Sequence, residues 1–116
     1  MSRHDDLIRL QHMLDHAREA QELVQGKVRS DLDTNRLLEL SLVRLMEIIG
    51  EAGNRVSSAC QSRYPHIPWG QIVGLRHRLI HGYDSVDMDI LWEILTKDLP
   101  VLILELEKII PPNNLG

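Results

Sequence analysis

Phenylalanine is missing from the 116 residues, and Tyr64, Trp69, Tyr83 and Trp92 are the only large rings. Sheets draw heavily on aromatic and β-branched side chains, so this poverty favours packed helices. Cys60 stands alone, which excludes an intramolecular disulfide and a cysteine-rich zinc site. Long apolar runs are missing too. The richest stretch, Val101 to Ile110, is broken by Glu105, Glu107 and Lys108, so nothing reads as membrane-spanning. The opening Met1-Ser2-Arg3-His4-Asp5-Asp6 lacks the apolar core of an export signal, and a reducing cytoplasm is the expected location. Positive charge is short: 13 Lys and Arg face 17 Asp and Glu, a formal net charge of −4. Proteins that grip nucleic acid along its backbone are usually basic. Any contact with RNA must therefore be local, through a few arginines.

What is present is an ordinary globular composition, 43% hydrophobic and 26% charged, in a chain long enough for one core and one domain, residues 1–116. Leu7, Leu10, Leu14, Ala17 and Val24 form one apolar stripe, predicting a first helix over about residues 4–25 that Gly26 stops. Ser30, Asp31, Asp33 and Thr34 are cap candidates for a second helix reaching about Ala59. That helix is apolar nearly all round from Leu37 to Ile49, which suits the middle of a bundle or a subunit interface. Gly50 and Gly53 would let another backbone approach closely. Tyr64-Pro65-His66-Ile67-Pro68 reads as a connector. A short third helix opens at Pro68 or Trp69 and closes at Gly82. Ser85 or Asp87 caps a fourth, kinked at Pro100 and finished by Pro111-Pro112. The expectation is an all-α, antiparallel up-and-down four-helix bundle, assembled as a homodimer.

On a helical wheel with Ile72 at zero, Arg76 falls at about 40°, inside the apolar arc of Leu75, Leu79 and Ile80. His77 and Arg78 fall on the polar side. An arginine there needs a carboxylate, a partner subunit or a phosphate. The plain alternative is a salt bridge to Glu47 or Glu51, which with Arg55 are spaced four apart along the second helix. His81 stands just before Gly82, where a helix end leaves carbonyls without donors and favours a cation. Arg76 and His81 thus offer a permanent cation and a proton-transfer group on one element. Metal-free RNA scission asks for those groups: a base for the 2′-hydroxyl proton, an acid for the leaving 5′-oxygen and a cation for the phosphorane. A two-fold dimer would supply two copies of each.

Arg76 and His81, with four residues between them and a polar His77 after the arginine, resemble the RX4–6H motif of HEPN domains. Ile48-Ile49-Gly50-Glu51-Ala52, Tyr64-Pro65-His66-Ile67-Pro68-Trp69, the run from Arg76 to Tyr83, Trp92-Glu93-Ile94 and Asp98-Leu99-Pro100 are similar, in order, to the HepT-like branch of that superfamily. The resemblance covers nearly the whole chain. It implies a homodimeric helical RNase toxin of a toxin–antitoxin pair, with Arg76 and His81 catalytic, His77 and Arg78 auxiliary or RNA-binding, and no cofactor. It also implies a nucleotidyltransferase partner of the MntA kind that adds AMP to the tyrosine of an RX4HXY motif, here Tyr83. A tyrosine packed over the helix end is equally compatible with the residues.

Other patterns carry less. His12 and His16, with His4, Asp5, Asp6, Asp15 and Glu19 close by, have spacing for a metal, but a solvated helix face explains them as well, and no metal is assigned. Trp69 and Trp92 read as core or interface anchors. No phosphate-cradling loop, serine triad or paired-carboxylate signature is visible. The acidic balance also suits a second reading, a non-catalytic helical dimer that binds a nucleotide or its nucleotidyltransferase partner, and a third, a purely structural dimer.

Overall fold

The computed structural model describes residues 2–82 and 85–111. A capping box starts α1 (Arg3–Val24): Ser2 Oγ accepts from Asp5 N at 3.0 Å, and the Asp5 carboxylate accepts from Ser2 N at 3.3 Å. Both reciprocal bonds satisfy donors that a helix start leaves open. Leu10, Met13, Leu14, Ala17 and Ala20 form its buried stripe. Gly26 ends the element with a φ of +78°, a left-handed turn that costs glycine little.

The expected second helix is three helices. A single turn, α2 (Asp31–Thr34), precedes α3 (Arg36–Asn54), and α4 (Ser58–Arg63) follows after a break. Ser30 makes no side-chain cap; Asn35 caps α3 instead, accepting from Leu38 N at 3.0 Å. The break at Arg55–Ser57 has three causes in the sequence. Ser57 Oγ accepts from Cys60 N and starts α4. Gln61 Nε2 reaches back to the carbonyls of Gly53 and Val56, both at 3.2 Å, and ties α4 to the end of α3. Buried Asp6 of α1 accepts from Ser57 N at 2.8 Å and Ser57 Oγ at 2.7 Å, pinning the corner.

The predicted third helix is also divided. It runs as α5 (Trp69–Val73) and α6 (Leu75–Leu79), separated at Gly74. Trp69 is the buried anchor of the connector, its indole N–H shared between the carbonyls of Gln61 and Tyr64 at 3.1 and 3.0 Å. The small residues of α3 do let α5 in: a Cβ at Gly50 would stand 3.0 Å from the Ile72 carbonyl oxygen. α6 ends at Leu79, earlier than expected, and the chain pairs Ile80 with Val86 in an isolated antiparallel bridge. Gly82, φ +78°, serves the turn of that bridge and not a helix end.

Asp87 caps α7 (Met88–Glu93), its Oδ1 accepting from Ile90 N at 3.0 Å. Five π-helical residues, Ile94–Asp98, lead into α8 (Leu99–Ile109). Pro100 has no N–H to give to the carbonyl four residues back, so the predicted disturbance takes the form of this widened turn.

The all-helical bundle packs α1 between α3 and α8, and seats α5 and α6 against α3, with α7 beside α6. One core runs through it, centred on Met13, Leu42, Met46, Ile49, Leu91, Leu95 and Leu106. Among the described residues no helix is long and apolar enough to cross a membrane.

Candidate functional site

Arg76 and His77 stand on α6, and α3 faces them with Glu47, Gly50, Glu51 and Asn54. Together with Val73 these residues line an open concavity of about 170 Å³. Gly50 makes this geometry by letting α5 lie against α3, which brings α6 over the acidic edge of the longer helix. The Arg76 Nη1 bonds Glu47 Oε2 at 2.8 Å. Glu47 is only 18% exposed, whereas the Arg76 side chain is 67% exposed.

The apolar-arc expectation for Arg76 is thus corrected. The wheel assumed one unbroken helix from Ile72. The interruption at Gly74 breaks that phase, so Ile72, Leu75 and Leu79 point into the core while Arg76 faces solvent. The salt-bridge alternative holds, with Glu47 and not Glu51 as the carboxylate. Arg44 stands near both acids, 3.9 Å from Glu47 and 3.7 Å from Glu51. Glu47 thereby orients a guanidinium whose charge is still open to water, and one anchored nitrogen leaves the rest of the fork facing outward.

His81 is placed differently from its expectation. It is not in the last turn of a helix: Ile80 already caps α6 in extended geometry, and the His81 N–H donates to Ser85 O at 2.6 Å. The argument from helix-end carbonyls and dipole therefore falls away. What holds His81 is the bridge, together with the carboxylate of Asp87, whose Oδ2 is 3.8 Å from the imidazole Nε2. That distance is an ion-pair spacing when the ring is protonated and too long for a direct hydrogen bond. The His81 side chain is 58% exposed.

The structure brings Arg76 and His77 into one concavity but does not bring His81 or Arg78 there. Arg78 lies 3.6 Å from Asp98 at the rim of a small apolar cavity lined by Met46, Ile49, Ile72, Leu75, Ile94 and Leu99. It joins α6 to the π-helical turn. Tyr83, the expected site of nucleotide addition, lies outside the described residues. His12 and His16 meet edge to face, ring centres 6.4 Å apart, with His16 Nδ1 2.6 Å from the His12 carbonyl. Among the described residues no three His, Cys, Asp or Glu side chains are grouped to hold a metal ion. The cysteine is buried as well, and burial pushes the Cys60 thiol up from its ordinary value, so it is a poor nucleophile.

Sequence reasoning missed Asp87 as the neighbour of His81, having read it only as a helix cap. The available signal was its position six residues on across a glycine turn, which a hairpin brings back beside the histidine. Gly74 was likewise a visible breaker in the middle of a short helical pattern.

The arrangement offers an exposed, carboxylate-oriented guanidinium and a separate exposed imidazole with an aspartate 3.8 Å away: a place for an anion, and a proton carrier. Comparisons with known proteins point to one family. The family model described as "Ribonuclease HepT-like" matches residues 13–109. A protein of Methanocaldococcus jannaschii named "Putative RNase" is 32% identical over 107 residues, covering 92% of this chain and 98% of its own. Another so named, from Caldanaerobacter subterraneus, is 33% identical over 101 residues, covering 87% and 90%. A Thermococcus cleftensis protein named "Probable ribonuclease HepT" is 32% identical over 100 residues, covering 83% and 91%. No solved structure matches significantly. With its helical bundle and a family match spanning most of its length, this chain belongs to the HepT-like ribonuclease family.

Proposed function

We propose that the protein is the RNase toxin of a toxin–antitoxin pair, cutting RNA without a metal by means of Arg76 and His81. The observation that carries the reading is the exposed Arg76 guanidinium fixed by Glu47 over an open concavity, with His81 exposed on the next turn of chain. In the proposed reaction the 2′-oxygen of the substrate attacks the adjacent phosphorus, and one His81 takes the 2′-hydroxyl proton. The P–O5′ bond breaks, the 5′-oxygen receives a proton from a second acid, and a 2′,3′-cyclic phosphate remains. Arg76 stabilises the charge that builds on the phosphorane oxygens. Asp87, 3.8 Å from Nε2, stabilises the imidazolium that forms when His81 takes the proton, and His77 assists binding at the rim.

One chain holds a single His81, and the concavity that Arg76 and His77 line does not include it. Both facts favour a homodimer whose shared cleft is completed by a second copy. Exposed Leu37 and Leu40 on α3, at 75% and 48%, supply apolar surface of the kind subunit interfaces cover. In this reading a nucleotidyltransferase neutralises the toxin by attaching AMP to Tyr83, two residues from His81; a bulky anion there would block the cleft and offset Arg76.

The deciding experiment incubates a defined RNA with the protein in EDTA, beside Arg76→Ala and His81→Ala. EDTA-resistant cleavage that falls at least a hundredfold in both variants is expected. Equal cleavage by all three would mark a contaminant and overturn the reading. Intact mass after incubation with the neighbouring nucleotidyltransferase and ATP tests Tyr83: one or more AMP additions are expected, lost in Tyr83→Phe.

A further inference from the structure

Beyond the Arg76 concavity, on the other flank of α3, lies a second open concavity of about 170 Å³, lined by Arg9 and His12 of α1 and by Ile48, Glu51, Ala52 and Arg55. Glu51 borders both hollows, so they adjoin across the ridge of α3. The charge state of this second hollow is unusual for an acidic protein. Most other arginines have a close carboxylate, among them Arg18 with Glu107, Arg29 with Asp33 and Asp89, and Arg76 with Glu47. Arg9 and Arg55 approach no carboxylate within ion-pair distance among the described residues, and Arg9 feels Asp5 only at longer range. The Arg9 Nε is moreover shut off from water with no acceptor, the one buried side-chain nitrogen or oxygen so left among the described residues. An unsatisfied donor of this kind is costly. The guanidinium gains a bond by turning toward an acceptor that enters the hollow.

We infer that this hollow is a second phosphodiester subsite for single-stranded RNA, in which Arg9 and Arg55 hold a backbone phosphate some nucleotides away from the one at Arg76. The inference rests on the RNA-cleaving reading above and adds to it where the strand runs. The one ring that lines the hollow, the His12 imidazole, is already engaged edge to face by His16, and the hollow's charge comes from two guanidiniums, so the contact assigned to it is to the backbone. An α-helix is about 10 Å across and a strand advances about 3.4 Å per nucleotide, so a few nucleotides bridge the ridge. Glu51 between the hollows repels that strand, partly masked by Arg44.

The test uses single-stranded RNA with 2′-O-methyl riboses, which the 2′-hydroxyl route cannot cut. A 12-nucleotide probe is followed by fluorescence anisotropy and a dinucleotide by NMR titration. Arg9→Gln and Arg55→Gln are each expected to weaken the long probe roughly fivefold. Each should lower the slope of log affinity against log salt by about 0.7. The dinucleotide should bind unchanged, since it reaches one hollow only. Glu51→Gln should tighten the long probe. Arg18→Gln, the same charge loss on the far side of α1, serves as the control and should change neither. If the long probe binds both arginine variants as it binds the control, the subsite is wrong. If the dinucleotide weakens equally, these arginines belong to the reaction site and the second subsite is again wrong. Should the wild-type protein bind no 12-nucleotide RNA, the RNA-cleaving reading fails first and carries the subsite with it. Were Arg9→Gln to unfold, Arg55→Gln and Glu51→Gln decide the matter.

Discussion

At Asp87 one carboxylate oxygen accepts from Ile90 N at 3.0 Å and the other lies 3.8 Å from His81 Nε2. The two roles can be separated, because asparagine caps a helix about as well as aspartate but carries no charge. Asp87→Asn should therefore keep the melting temperature and KM while lowering kcat about tenfold, because the imidazolium formed during the reaction loses its counter-charge. Asp87→Ala should lose kcat and also about 1 kcal/mol of stability. Loss of stability without loss of kcat in either variant would leave Asp87 as a cap alone. Asp6 gives a second residue-scale test. Burial acts to raise its carboxyl pKa, but the hydrogen bonds from Ser57 Oγ and N outweigh it and hold the group below the usual aspartate range. A depressed native value means that the ionised form stabilises the fold. That contribution is complete above the unfolded value of about 3.9 and fades as pH falls through the native one. Ser57→Ala should cost about 1–3 kcal/mol at pH 7, since it leaves Asp6 short of a donor and α4 short of its cap. The difference from wild type should shrink in acid below pH 4, as urea denaturation across pH would record.

Between residue and site stands the packing of α5 on α3. The spacing of small residues announced a close approach, and Gly50 delivers it, with Ile72 O filling the space a Cβ would need. Gly50→Ala should cost about 1–3 kcal/mol in urea denaturation, the usual range for overpacking. It should also lower cleavage, because α5 carries α6 and with it Arg76. Unchanged stability would show that α5 shifts freely and that the Arg76–Glu47 pair does not depend on this contact. Element types were legible in the sequence because apolar periodicity and turn residues act locally. α1 matches its expected bounds within a residue or two, and Gly26, Asp87 and Pro100 act where they were expected to. The breaks at Gly74 and at Arg55–Ser57 were less legible. Gly74 alone is tolerated in many helices, and the second break is fixed by Asp6, some fifty residues away.

For the molecule as a whole, the question is whether one chain makes a complete site. His81→Ala is expected to be inactive alone. Mixed with wild-type protein and allowed to exchange subunits, it forms a heterodimer that contains one His81. A shared cleft in which one His81 is the base and its copy the acid predicts a nearly inactive mixed dimer, so that activity falls faster than the wild-type share. Native mass spectrometry would verify exchange, and activity proportional to the wild-type share despite exchange would show that each chain works by itself. The exposed Leu37 and Leu40 stand on the helix that the sequence alone had singled out as too apolar.

The sequence by itself determined the helical class, the single core, the Gly26 stop and the Asp87 cap, and it singled out the arginine and histidine as candidates. Each follows from neighbours three or four residues away or from residue chemistry, so no tertiary knowledge is needed. Only the tertiary structure decided which way those two residues face. Arg76 turned outward because Gly74 broke the phase of its helix and Glu47 on another helix was there to receive it. His81 left the helix because Ile80 found a bridge partner in Val86, and the same bridge set Asp87 beside it. Packing likewise set Arg9 and Arg55, far apart in the chain, around one hollow. Such pairings depend on which elements meet, and local patterning does not encode that.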